Sequence, residues 1–209
     1  VYEDLKPLYE GLQCHVRAEL NEFYGDEVVP NEGSIPAHVL GNMWAQSWAN
    51  VYDLVYQEES TGKSIDLTKV INDRGLTEVE MVEIAEDFFL SLGFEPLEDT
   101  FWERSLFVKP VDRNVVCHAS AWDINPKTQD LRIKMCIEKN AEDFVTIHHE
   151  LGHIFYYQAY AHQPSVFQSG ANDGFHEAVG DLLSLSITPN YLEKIGFVTK
   201  EEADLAKEN

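Results

Sequence analysis

His149 and His153 stand four residues apart in the run His149-Glu150-Leu151-Gly152-His153. On an α-helix that spacing puts two imidazoles on one face, so both can offer a nitrogen to a single divalent ion. Zinc accepts such neutral donors at about 2.0–2.1 Å, and a catalytic zinc keeps one position open for water. Glu150, one residue on, falls beside that position, where a general base belongs. His148 does not compete for the role, because the residue four places later is Gly152. The bland alternative is a surface helix with two solvated histidines, and a third ligand on a neighbouring helix separates the two readings.

Glu177 is the candidate third ligand, within Gly174-Phe175-His176-Glu177-Ala178-Val179-Gly180-Asp181. Glu177 and Asp181 are again four apart and share a face. Glu177 would complete a two-histidine, one-carboxylate set, while Asp181 would accept the spare ring N–H of a ligating histidine and so fix its tautomer. Gly180 and Ala178 are small enough to let the two helices come close. Without the upstream motif, the same two acids would read as an ordinary solvated face.

The elements that must carry these residues are mostly helical. Leu5, Leu8, Leu12, Val16, Leu20 and Phe23 recur at three- and four-residue steps and predict an amphipathic helix ending near Gly25. A second helix is expected after Pro36, with Leu40, Met43, Trp44, Trp48, Val51 and Val55 on its apolar side. Thr77 and Glu80 form a capping box for a third, which Gly93 would stop. The longest candidate runs from Ala141 to about His162, another from Gly174 to about Ile187, and Thr199 with Glu202 opens a last short one. Val115 to Asp123 and Asp130 to Glu138 alternate in part and flank Asn125-Pro126-Lys127, which reads as a β-hairpin. The fold class expected is mainly α: a helical body with one small hairpin just ahead of the longest helix.

Composition removes several function classes. The 209 residues are 44% hydrophobic and 25% charged, ordinary for a globular chain with a packed core. Fifteen Lys and Arg against 37 Asp and Glu leave a formal charge of −22, which would repel nucleic-acid phosphates. Gly33 to Tyr52 lacks charged residues but carries Pro36, His38, Asn42, Gln46 and Asn50, too polar a set for a membrane span. Asn42, Gln46 and Asn50 form an amide stripe, which more often serves helix packing than ligand binding. Trp44, Trp48, Phe88 and Phe89 read as core. Cys14, Cys117 and Cys136 allow at most one internal bridge, and three reduced thiols in a cytosolic protein is the competing reading. The chain opens on Val1 without a basic-then-apolar leader, so processing or truncation is expected.

Ile147 to Ile154 followed by Ser169 to Asp181 resembles the zinc site of the angiotensin-converting enzyme family. Ile35-Pro36-Ala37-His38-Val39-Leu40-Gly41-Asn42-Met43-Trp44-Ala45-Gln46 and Val116-Cys117-His118-Ala119-Ser120-Ala121-Trp122-Asp123 agree in type and order. The resemblance extends over essentially the whole chain. It implies that residues 1–209 are the central part, about the middle third, of a single peptidyl-dipeptidase catalytic domain, incomplete at both ends. His149, His153 and Glu177 then match zinc ligands, Glu150 the general base, and Asp181 the carboxylate that orients a ligand histidine. His118 and Ala119 match positions that dock the substrate backbone, and Gln46 one that helps hold the substrate's C-terminal carboxylate. Cys117 and Cys136 match a disulfide, which points away from the cytosol to a secreted protein or the ectodomain of an anchored one.

The activity so implied is release of dipeptides from the free C-terminus of oligopeptides, with zinc as cofactor and chloride as a further ion of the longer parent. Two departures stand against it. Asp173 occupies a position where relatives commonly carry proline, which would loosen the turn into the helix of Glu177. The family's transition-state tyrosine and histidine, and its lysine and tyrosine for the substrate carboxylate, match nothing up to Asn209. The isolated chain is therefore expected to be nearly inactive, since losing one oxyanion donor costs about 10²–10³ in rate. The rival readings are a truncated, non-catalytic relative acting as a binding module, and an endopeptidase of related zinc architecture.

Overall fold

The computed structural model describes residues 1–41, 48–56 and 65–207. Its elements are α1 (Tyr2–Tyr24), α2 (Tyr52–Val55), α3 (Leu67–Asp73), α4 (Glu78–Ser91), α5 (Asp99–Arg104), β1 (Ser120–Asn125), β2 (Asp130–Lys134), α6 (Ala141–Tyr160), α7 (Asp173–Ser184), α8 (Pro189–Lys194) and α9 (Lys200–Lys207). Among the described residues the fold is mainly α with one small antiparallel sheet, as expected. No helix among the described residues is long and apolar enough to cross a membrane. Two compact units are present, Val1–Thr61 and Gly62–Asn209.

In the first unit, α1 ends at Gly25 (φ 84°), a backbone angle that glycine adopts without steric cost. Of its predicted apolar stripe only Val16 and Leu20 are buried, against Val29, Leu40 and Val51. Leu5, Leu8, Leu12 and Phe23 remain exposed, because this small cluster covers only part of the helix. Where a helix is expected after Pro36, the described residues carry 3-10 turns at Ala37–Val39 and Ala49–Val51 and then the four-residue α2, and the middle of that stretch lies outside the described residues. Asn42, Met43, Trp44 and Gln46, named above as packing or binding residues, lie outside the described residues.

The second unit is built on α4 and α6. Thr77 and Glu80 make the predicted capping box, each accepting from the other's backbone N–H. Asn140 caps α6 through Asp143, and Glu142 and Asp143 add favourable charge in its first turn. Phe144, Ile147, Leu151, Ile154 and Phe155 recur at helical spacing and are all buried. Phe155 stacks on Phe89 of α4 with ring centroids 4.4 Å apart. Burying each such side chain contributes roughly 1.5–3 kcal/mol, so this seam holds α6 rigidly. Trp48 is half-buried in the first unit, while Phe88 packs on the second unit's core beside the fully buried Phe89.

The hairpin is present but shorter than expected. β1 pairs with β2 in the register Ser120↔Lys134 and Trp122↔Arg132, with an irregularity between Asp123 and Asn125. The turn closes where Asn125 accepts from the Lys127 and Thr128 backbone N–H groups. On its other side Ile133 O of β2 accepts from Leu106 N, and Met135 N donates to Leu106 O, so the end of β2 lies against the segment at Leu106. Val115 to Ala119 precede the strand rather than belong to it, which leaves His118 in a bend instead of on a strand. Cys117 and Cys136 flank the hairpin and are joined by a disulfide, so the reading of three reduced thiols is overturned.

Candidate metal centre

α6 and α7 cross at glycine. A Cβ built on Gly152 would lie 2.7 Å from Gly180 Cα, and one built on Gly180 would lie 2.8 Å from His149 Nδ1. Only backbone fits there. Ala178, expected as the second small contact, is exposed, and Gly152 takes that role. α7 starts at Asp173, with the Asn172 side chain accepting from Gly174 N.

The close crossing brings the three predicted ligands together. Ligand atoms of His149, His153 and Glu177 all lie within 4.8 Å of one another. His149 Nε2 is 3.1 Å from His153 Nε2 and 3.3 Å from Glu177 Oε2, while His153 Nε2 is 3.9 Å from Glu177 Oε1. A tetrahedral ion with bonds of about 2.1 Å holds its donors about 3.4 Å apart, so these separations suit one small divalent cation. Nitrogen and carboxylate donors with an open side are also the chemistry zinc selects in catalytic sites. The histidine side chains are 21% and 12% exposed against 70% for Glu177, so the set opens to solvent on the α7 side.

The second layer is partly as read. His149 Nδ1 donates to Asp181 Oδ1 at 3.0 Å, which leaves the Nε2 lone pair facing the other ligands. His153 has a different partner, missed from the sequence: its Nδ1 is 3.3 Å from His176 Nδ1, and His176 Nε2 is 3.0 Å from the Tyr160 hydroxyl. The signal was there, since His149, His153, Tyr156 and Tyr160 continue one α6 face at four-, three- and four-residue steps. Burial holds His153 and His176 below the ordinary imidazole pKa, and burial with neighbouring Tyr157 and Asp123 raises the Tyr160 phenol.

Glu150 points into the same cleft and is 6% exposed. Burial pushes its carboxyl up to about 6, with His149 opposing and Glu177 adding to the rise. Its Oε2 is buried with no hydrogen-bond partner among the described residues. His148, on the opposite side of the helix, is fully buried and bonds Phe144 O and the Tyr191 hydroxyl, consistent with its exclusion from the ligand set.

The cleft has a volume of about 840 Å³. One wall is the stretch Cys117 to Ala121 with Cys136, and the other is α6 with Glu177 and Asp181. His118 and Ala119 therefore line the space that holds the candidate ligands. The outer edge of β1 makes no strand pairing among the described residues.

A family model described as angiotensin-converting enzyme, Peptidase M2, matches residues 1–209. The angiotensin-converting enzyme of Haematobia irritans exigua is 47% identical over 208 residues, covering 98% of this chain and 33% of that protein. That of Bos taurus is 50% identical over 202 residues, 95% of this chain and 15% of its own length. The Theromyzon tessulatum enzyme is 44% identical over 199 residues, 95% of this chain and 32% of its own. The chain thus spans a third or less of the length of the curated relatives it matches.

Proposed function

The chain belongs to the angiotensin-converting enzyme family of peptidases, and on that premise we propose that it forms the metal-binding core of a zinc peptidyl-dipeptidase. The observation that carries this reading is the convergence of His149, His153 and Glu177 within 4.8 Å, with a Glu150 oxygen, unpartnered among the described residues, in the same cleft. Those three side chains would hold zinc, and Asp181 would keep His149 in the ligating tautomer. Zinc bound there supplies Lewis acidity, polarising a carbonyl and drawing the pKa of water toward about 7.

Glu150 carries the proton work. Its free Oε2 takes a proton from the attacking water and delivers it to the leaving amine. Burial raises the metal-free carboxyl, whereas a cation held beside it would favour the ionised form that a base needs. His118 and Ala119 lie on the opposite wall, where an extended peptide can pair with the chain's exposed edge. Gln46 is assigned to the substrate carboxylate by resemblance alone. Residues 1–209 are read as the central part of one catalytic domain.

The substrates proposed are oligopeptides with a free C-terminus, cut to release dipeptides, and the compartment proposed is extracellular. The Cys117–Cys136 bridge supports an oxidising compartment. The test is to load the full-length protein with zinc and compare one peptide as the free acid and as the C-terminal amide. Faster cleavage of the free acid is expected. Equal rates would make the protein an endopeptidase, and no turnover with zinc bound would favour the non-catalytic binding module.

A further inference from the structure

His149 and His153 are not held alike. The Nδ1 of His149 meets a carboxylate, Asp181, whereas the Nδ1 of His153 meets another imidazole, His176. Two neutral imidazoles facing through their Nδ1 atoms share one proton, and it can sit on either ring. With the proton on His176, His153 must carry its own on Nε2, pointed at Glu177 and His149, and it cannot ligate. With the proton on His153 Nδ1, the Nε2 lone pair is free and His176 must hold its proton on Nε2. That Nε2 lies 3.0 Å from the Tyr160 hydroxyl, which accepts.

His176 is built in to hold this pose. Its ring sits among Tyr156, Tyr157 and Tyr160, with centroids 4.6, 4.8 and 5.9 Å away. Gly170 closes the remaining side, since a Cβ there would lie 2.8 Å from His176 Cδ2. The ring therefore has little room to turn its Nδ1 away from His153.

We propose that His176 and Tyr160 are positioning residues that lock His153 in the tautomer able to bind metal, as Asp181 does for His149. This rests on the zinc reading above. The relay is neutral, so it orients His153 without adding the negative charge that Asp181 lends to His149. The two histidines are then unequal donors, and the site depends more on Asp181 than on Tyr160.

Zinc affinity of the full chain, measured by competition with a chromophoric chelator, tests the proposal together with 15N NMR of the metal-free chain. His176→Phe keeps an aromatic ring in the tyrosine cage but removes the acceptor, and is expected to bind zinc about 10–100-fold more weakly. His176→Asn puts an oxygen near the original Nδ1 and is expected to recover most of that loss, although it packs worse. A merely structural role predicts the reverse order. In the metal-free chain the proton should sit on His153 Nδ1, and in His176→Phe it should move to Nε2. Unchanged affinity in His176→Phe, or an unchanged His153 tautomer, overturns the proposal. Should His176→Phe fail to fold by circular dichroism, Tyr160→Phe decides: a few-fold weaker binding with a mixed His176 tautomer supports the relay, and wild-type values refute it. If the unaltered chain takes up no zinc, the zinc reading falls, and the metal-free tautomer still decides the pairing of His153 with His176.

Discussion

Gly152 and Gly180 face each other across α6 and α7 with no room for a methyl group on either, a Cβ on Gly152 lying 2.7 Å from Gly180 Cα. This contact lets Glu177 and Asp181 on one helix reach His149 and His153 on the other. Gly180→Ala is expected to push against His149 Nδ1 and its carbonyl oxygen, the atoms 2.8 and 2.9 Å from the new Cβ. Stability should drop by about 1–3 kcal/mol and zinc affinity should fall as His149 leaves Asp181. Denaturant unfolding and metal competition would read both, and an alanine variant matching wild type in both would refute the close crossing.

Asp181→Ala removes the acceptor for His149 Nδ1 at 3.0 Å. Zinc binding should weaken about 10–100-fold with little change in fold, because the side chain is 71% exposed. A loss of helicity matching the loss of metal would show that Asp181 holds the helix and not the histidine.

Glu150→Gln should keep metal and lose turnover in the full-length protein. The amide fills the same space but cannot take a proton, and general-base catalysis is worth about 10²–10⁴ in rate. Zinc stoichiometry beside peptide hydrolysis separates the two effects. Retained turnover would remove Glu150 from the mechanism.

The motif residues and the long helices were legible because their signals are local: a four-residue spacing, a capping box at Thr77 and Glu80, an apolar stripe on α6. What failed depends on distant partners. The stripe on α1 predicts burial at Leu5, Leu8 and Leu12, but they stay 55%, 71% and 49% exposed, outside the small cluster around Val16 and Leu20. The short helices α3, α5 and α8 carry too few periodic residues to register. His118 falls within the partly alternating run Val115 to Asp123 and so is expected on a strand, yet pairing starts only at Ser120, where Lys134 is available opposite. His176 was passed over because its partners, His153 and Tyr160, come from another helix.

His148 predicts a pH dependence of folding. Burial first, opposed by the Phe144 carbonyl, lowers its pKa from 6.5 to about 4. Folded, the ring stays neutral until about pH 4, whereas the unfolded chain takes up the proton near 6.5. Between those values the unfolded state binds more protons, so stability present above 6.5 is lost as pH falls, by on the order of 3 kcal/mol. Unfolding of wild type and His148→Leu from pH 7 to 4 should show a shallower slope in the variant. Parallel slopes would contradict the assignment.

The Cys117–Cys136 bridge spans 19 residues and ties the hairpin's two ends beside the cleft. Its removal in a Cys117→Ser, Cys136→Ser double variant should cost about 3 kcal/mol. Zinc binding should persist, since all three ligands sit on α6 and α7. A melting temperature indifferent to the double change would show that the hairpin does not need the bond.

The most direct measurement is metal content of the purified chain, by elemental analysis after dialysis against limiting zinc, with His149→Ala, His153→Ala and Glu177→Ala alongside. One zinc per chain in the wild type, and little or none in any of the three variants, is the predicted result. A wild-type chain that holds no zinc, or variants that keep it in full, would contradict the account.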